Sequence, residues 1–342
     1  MNLNPLIERV ANFTIGHPDE RDCWMKAVAI TGILEVGDAV SVAAVERWLS
    51  RAIETQRSSG NFSYGDTVQG VGAGHIQSFT PLASLTAGIG YPLLRRYQQT
   101  REASYLEAAG RQIEALMNAP RTSEGGIWAR GEGPELWVDF TYIMCPFLAL
   151  YGKLTNEQKY LDEAFKQYRL HVEHLVDPRK HLARHAWCET PDYYPQSTFW
   201  SRGNGWLICA SVDLLDIAPE HPGAALVKST CAAALDAIAP YQDASGYFCH
   251  VIDNPRSNLE ASGTLMFAYA TARAVELELV SASMIPQAVK ALRAVAGAVE
   301  PSGKVPGVAV PPGGPGVPFD WTLFGQGFFL LAASALSAHF TA

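Results

Sequence analysis

No apolar stretch in this 342-residue chain is long enough to span a bilayer, and Met1 to Glu20 lack the basic segment and apolar run of a secretory leader. A cytoplasmic home and no membrane partner are the expectation. Charge is scarce as well, at 18% of residues, and its balance is negative, with a net charge of -8. Without a basic surplus to neutralise phosphates, a nucleic-acid partner is excluded. The six cysteines (Cys23, Cys145, Cys188, Cys209, Cys231 and Cys249) are scattered and form no C-x-x-C pair, so free buried thiols are expected. No full zinc-type set of paired Cys and His ligands is present, and the chain reads as metal-free and without a cofactor. A G-x-S-x-G elbow, a phosphate loop and a dinucleotide glycine pattern are all missing, which removes most support for serine hydrolases, kinases and Rossmann enzymes.

Alternating strand patterns are scarce, and helical periodicity fills the chain. Hydrophobic residues make up 48% of it, enough for a large core. Val40, Ala43, Ala44, Trp48 and Ile53, for example, mark one side of a helix from about Val40 to Thr55. Some twelve helical segments start near residues 4, 22, 40, 79, 102, 137, 157, 204, 222, 260, 283 and 322, separated by Gly, Pro, Asn and Asp clusters. Long connections recur about once per helical pair: Ser58 to Ser78, Ala119 to Leu136, Asp177 to Asn204, Gln242 to Leu259 and Pro301 to Phe319. Long loops in a compact protein usually carry function. A toroid of six helical hairpins opens all of them on one end, and no motif repeats at fixed period to suggest a solenoid. The expected fold is therefore all-α, an (α/α)6 barrel, with residues 1–342 as a single domain.

Chemistry concentrates in three places. Trp200-Ser201-Arg202-Gly203-Asn204-Gly205-Trp206 stands immediately before an amphipathic segment, Leu207 to Ile217. Indole faces cover sugar rings, an arginine fork takes a carboxylate through paired hydrogen bonds, and glycines let the backbone turn close to a ligand. The alternative is that Trp200 and Trp206 are core plugs and the glycines only shape a turn. The second cluster, Arg121 to Tyr151, contains Trp128, Arg130, Trp137 and Asp139. Asp139 is a lone carboxylate at a helix start between Val138 and Phe140, one turn before Ile143. Two roles compete there: a general acid kept protonated by apolar surroundings, or a helix cap favoured by the dipole. The third cluster places His185 two residues before Trp187 and four before Glu189, with His75 a further pocket candidate.

Taken in order, RTSEGGIW, ELWVDFTYIMCPFLALYGKL, HAWCE and FWSRGNGW resemble the unsaturated glucuronyl and rhamnogalacturonyl hydrolases, glycoside hydrolase families 88 and 105. TAGIGYPLLRRY and LEASGTLMFAYATA extend the similarity from about Ala87 to Ala272. The resemblance implies an (α/α)6 barrel acting on oligosaccharides that a polysaccharide lyase has left with a 4,5-unsaturated uronate at the non-reducing end. It implies hydration of the C4=C5 bond, with Asp139 in the W-x-D position as acid. Arg202 is then expected near the uronate carboxylate or the water, Trp128, Trp200 and Trp206 around the sugar ring, and His185 in hydrogen-bonding reach of it. Trp137, Trp187, Arg130 and His75 complete the expected substrate-binding set.

Two departures stand out. Where the family has an aspartate in L-D-x-x-N-x-G, this chain has Leu82-Ala83-Ser84-Leu85-Thr86-Ala87-Gly88, and where it often has His-Lys after Trp128, Ala129-Arg130 follows. The second change points Arg130 at an anionic group beyond the first sugar. Alternatives are a related barrel acting on saturated uronosides, a sugar epimerase, a sugar-binding barrel without catalysis, and a structural toroid. The parent polysaccharide, the linkage and the oligomeric state are not encoded in any motif.

Overall fold

Helices that are apolar on every side belong inside a structure, and those with one apolar stripe belong on its outside. The computed structural model, which describes residues 2–19, 21, 23–64, 68–69, 78–311 and 316–340, sorts the chain in that way. In order the helices are α1 (Asn4–Ile15), α2 (Trp24–Val36), α3 (Ala39–Glu54), the single turn α4 (Ala83–Thr86), α5 (Gly90–Thr100), α6 (Ala103–Met117) and α7 (Phe140–Thr155). They continue with α8 (Gln158–Leu175), α9 (Ser201–Ile217), α10 (Ala224–Ile238), α11 (Ala261–Glu276), α12 (Ile285–Ala298) and α13 (Leu323–Ala335). Most begin within a few residues of the expected starts. The segment expected near residue 79 instead begins as α4 and continues as α5.

Helices α2, α7, α9, α11 and α13 are buried almost all round, and α5 is buried through its first half. The alternating helices α1, α3, α6, α8, α10 and α12 each bury one face. The inner six pack in sequence, α2 on α5, α5 on α7, α7 on α9, α9 on α11 and α11 on α13, and α13 returns to α2. That closure makes an (α/α)6 barrel. Glycine makes the seam possible: a Cβ on Gly327 would stand 2.4 Å from the Val28 carbonyl oxygen, and one on Gly32 would stand 2.6 Å from that of Gly327.

An outer helix returns the chain between each inner pair, so all six inner helices point the same way and their N-termini share one end of the barrel. Five follow a long loop. Short antiparallel ladders stiffen these loops: Glu135–Trp137 with Ala186–Cys188 and Tyr193–Gln196, Phe248–Cys249 with Leu259–Glu260, and Val308–Ala309 with Phe319–Asp320. The last of these ladders ties together the two described sides of the glycine- and proline-rich connection between α12 and α13.

One local expectation changes. Helix α3 buries Ser41, Ala44, Val45, Leu49 and Ala52, while Val40 is 70% exposed, so the inward face is rotated from the one its apolar spacing marks. Val40 lies in the first turn after the Asp38 cap, and its N–H donates to the Asp38 carboxylate. All six cysteines are buried and free, as expected. No helix among the described residues is long and apolar enough to cross a membrane.

Far from the N-terminal end of the inner ring, α9 buries Asp213, which accepts a 2.8 Å hydrogen bond from the Tyr269 hydroxyl. Burial pushes its carboxyl up to about 6, against the pull of Tyr269, Arg95 and Arg273. An acid whose folded value exceeds its unfolded value costs stability above the folded value, and that cost disappears as pH falls through the unfolded one. The shift corresponds to roughly 3 kcal/mol at neutral pH. Asp213→Asn keeps the Tyr269 acceptor and should raise Tm by several degrees near pH 8, with the gain shrinking to nothing toward about pH 4. Thermal melts across that range check it; a gain independent of pH would mean that the charge is not its source.

Candidate active site

The N-terminal end of the inner ring carries the candidate chemistry. Asp139 occupies the cap position of α7, yet its side chain makes no capping hydrogen bond. The capping role weighed from sequence is therefore not the one it plays. Its carboxyl is 15% exposed and its Oδ2 lies 3.1 Å from Nε2 of His185, at ion-pair distance but without a hydrogen bond. The backbone explains the meeting: the Val138 N–H donates to the His185 carbonyl at 2.9 Å, extending the ladder that pairs Trp137 with Ala186. On its other side the His185 ring contacts Oε1 of Gln196 from the next strand. Trp137 and Trp200 flank the ring at 5.3 and 4.9 Å between centroids.

The W-S-R-G-N-G-W stretch is the start of α9 rather than a turn before it, with Trp200 as its cap residue. Gly203 and Gly205 accordingly serve close packing. A Cβ on Gly203 would meet Val138 at 3.0 Å and Trp200 at 3.1 Å, and one on Gly205 would meet Met266 of α11 at 2.8 Å. Arg202 is almost wholly buried and lies over the Trp200 ring at 4.2 Å and the Phe324 ring at 4.9 Å. Its Nη1 donates to the Ala309 carbonyl at 2.7 Å and stands 3.9 Å from Glu260, while Nε has no partner among the described residues. Burial lowers its pKa to about 10, opposed by the charges of Glu260 and Asp139, so the guanidinium remains charged at neutral pH. Asp139 thus lies within electrostatic reach of Arg202.

Not every expected residue joins them. Trp206 is completely buried against Trp24, Tyr142, Phe324 and Phe328, so it supports the site from beneath and does not face a ligand. Arg130 spends its fork on Glu135, with bonds of 3.0 and 2.8 Å, and donates a third to the Ser78 carbonyl at 2.7 Å. The same Glu135 holds the Trp137 indole N–H at 2.7 Å, so Arg130 braces Trp137 and has no fork left for an anion. Trp187 stacks on His174 at 3.7 Å and donates to Asp192 at 2.6 Å, apart from the Asp139 contacts. Trp128 is half-buried with its N–H unpaired, and Ser84 holds its carbonyl at 2.7 Å. His75 lies outside the described residues. Ala83 is buried in α4, and its carbonyl accepts from Gln112 at 3.1 Å.

Sequence reading missed Gln196, His250 and Glu260. Gln196 and Glu260 lie close before an inner-helix start, a positional signal available once alternate helices are assigned inside. Glu260 is fully buried, caps Gly263 of α11 and accepts from the Ala309 N–H at 3.0 Å, so it and Arg202 hold the N–H and the carbonyl of the same residue. Among the described residues no three His, Cys, Asp or Glu side chains converge as a metal site.

Residues 7–338 match the family described as Glycosyl Hydrolase Family 88. The chain belongs to that family. It is a glycosidase by that membership, and Asp139 and Arg202 sit where the barrel gathers its inner-helix N-termini. The unsaturated rhamnogalacturonyl hydrolase YesR of Bacillus subtilis is 25% identical over 290 residues, covering 82% of this chain and 77% of that protein. An unsaturated 3S-rhamnoglycuronyl hydrolase of Formosa agariphila is 30% identical over 214 residues, covering 58% and 56%. Among solved structures, a possible GH105 member from Salmonella enterica superposes with TM-score 0.85 at 24% identity, covering 99% of this chain and 94% of that one. An unsaturated glucuronyl hydrolase specific for heparin superposes with TM-score 0.73 at 13% identity, covering 98% and 95%. At these identities the structural matches speak for the fold alone.

Proposed function

We propose that the chain, acting as one catalytic barrel, releases 4,5-unsaturated uronic acid from the non-reducing end of lyase-generated oligosaccharides. Asp139 gives a proton to C4 of the enol ether, and the cation that develops at C5 and the ring oxygen takes up water. The water's spare proton returns to Asp139. The resulting hemiketal opens to a C5 ketone and a C1 hemiacetal, which expels the neighbouring sugar. No second carboxylate at fixed separation is needed, unlike ordinary glycoside hydrolysis.

The observation that carries this reading is the uncapped Asp139 carboxyl beside His185, within the field of the buried Arg202. Parallel helix N-termini add partial positive charge at the same end, favouring an anionic ligand despite the protein's net negative charge. The two hydrolases named above act on unsaturated rhamnogalacturonyl and rhamnoglycuronyl compounds, the same substrate class. Ala83 is the observation that favours a second reading, a barrel that binds such sugars without consuming them.

Lyase digests of pectin, ulvan, glycosaminoglycan and gum, offered in turn, separate the readings. Loss of the enuronate's ultraviolet absorbance with release of a shortened sugar is the expected result on at least one digest. Tight binding with the absorbance intact would favour the binding barrel, and cleavage of only saturated uronosides would sink the hydration chemistry.

A further inference from the structure

His250 is 8% exposed, its Nδ1 is buried, and its ring forms no hydrogen bond with the described residues. Leaving a buried polar ring unpaired is costly, and a native structure seldom does so without water, an ion or a ligand to complete it. The backbone fixes where the ring stands. The His250 carbonyl accepts from the Ser201 N–H at 2.9 Å, and Val251 bridges to Trp200, so the residue is clamped to the first turn of the helix that carries Arg202. The ring packs edge-on between Trp200 at 6.2 Å and Phe319 at 5.5 Å.

The charged groups facing it are Arg202 from α9 and Glu260 at the head of α11, while the hairpin before α13 presents the aromatic Phe319. Glu260 is already engaged by Ser262, Gly263 and Ala309, at 2.6, 2.7 and 3.0 Å. Burial and Arg202 push the imidazole below its ordinary value, against Glu260, so the resting ring is neutral and retains one N–H donor. A neutral buried donor beside a guanidinium whose Nε is also unpaired lacks one component, an anion.

We propose that His250 is a substrate-binding residue that, together with Arg202, grips the carboxylate of the acidic sugar through an imidazole N–H. This rests on the reading of the ligand as a uronate. A bound carboxylate stabilises the protonated ring, so binding is linked to proton uptake and tightens as pH falls below neutrality.

The test uses His250→Ala and His250→Gln in the full chain, with two independent readouts: kcat and KM on unsaturated disaccharide, and calorimetric titration with glucuronate against glucose. Expected for His250→Ala is about a tenfold rise in KM with kcat changed by less than about twofold, and a matching loss of glucuronate affinity with glucose unaffected. His250→Gln keeps an N–H donor that cannot ionise, so it should recover most of the affinity while flattening its pH dependence. The proposal is overturned if His250→Ala preserves KM and the preference for the acid, or if kcat falls while KM holds. It is overturned equally if wild-type protein does not distinguish glucuronate from glucose. Should His250→Ala fail to fold, His250→Gln decides, since retention of the wild-type pH dependence contradicts a titrating imidazole. Absence of turnover by wild-type protein sinks the hydrolase reading, and the glucuronate titration still decides His250.

Discussion

Replacing Asp139 with Asn is expected to abolish turnover and to leave the barrel standing. Asparagine has the same shape but no proton acidic enough to give to carbon, so the proposed protonation of the C4=C5 bond would lose its donor. General acid–base groups contribute up to about 10⁴-fold, and a loss near that ceiling is expected because in the proposed mechanism one carboxyl serves both the proton delivery and the water. The fold should tolerate the change. Asp139 makes no capping bond, so the usual cost of about 1 kcal/mol for removing a cap does not arise. Ultraviolet absorbance of the enuronate reports turnover, a thermal melt reports the fold, and titration with unsaturated disaccharide reports binding. Near-wild-type turnover in Asp139→Asn removes the assignment altogether.

The second large effect is expected at Arg202, and the informative substitution is the one that keeps the charge. Lysine cannot lie flat over Trp200 or present a fork while also donating to the Ala309 carbonyl. A charge-assisted hydrogen bond is worth about 1.5–3 kcal/mol and a desolvated cation–π contact about 2 kcal/mol. Arg202→Lys should therefore lower kcat/KM by roughly 10²- to 10³-fold, most of it in KM, since the guanidinium fork is proposed to hold the ligand in ground and transition states alike. Stability should change less than in Arg202→Met, where Glu260 is left without its nearby cation; breaking a buried pair costs about 3–5 kcal/mol. Steady-state kinetics of Arg202→Lys with acidic and neutral substrates separates these effects. An unchanged KM would place the carboxylate elsewhere.

Legibility in the sequence followed the range of the interaction. Asp139 was legible because a carboxylate at a helix start is a local arrangement, and α7 begins at the next residue. The long loops were legible because helix periodicity stops where they begin. Trp206 was not, since its burial comes from Trp24 and Phe324, which lie more than a hundred residues away on either side. Arg130 was misread for a different reason. Its partner Glu135 is only five residues on, but pairing them requires the loop to fold back between Thr80 and the ladder. Gly203 and Gly205 suggested a turn, and only the approach of Val138 and Met266 makes them packing residues within a helix.

By itself the sequence determined the helices, the long loops between their pairs, and the concentration of aromatic, acidic and guanidinium groups in those loops and at the helix starts that follow them. Each rests on spacing along the chain, which backbone geometry converts directly into faces and ends. Tertiary structure alone decided which groups remain available to a ligand. Glu135 claims Arg130, Asp192 claims the Trp187 indole, and His250 arrives beside Arg202 from a loop nearly fifty residues later. Availability is what remains after a side chain's other partners are satisfied, and those partners come from parts of the chain that periodicity does not relate.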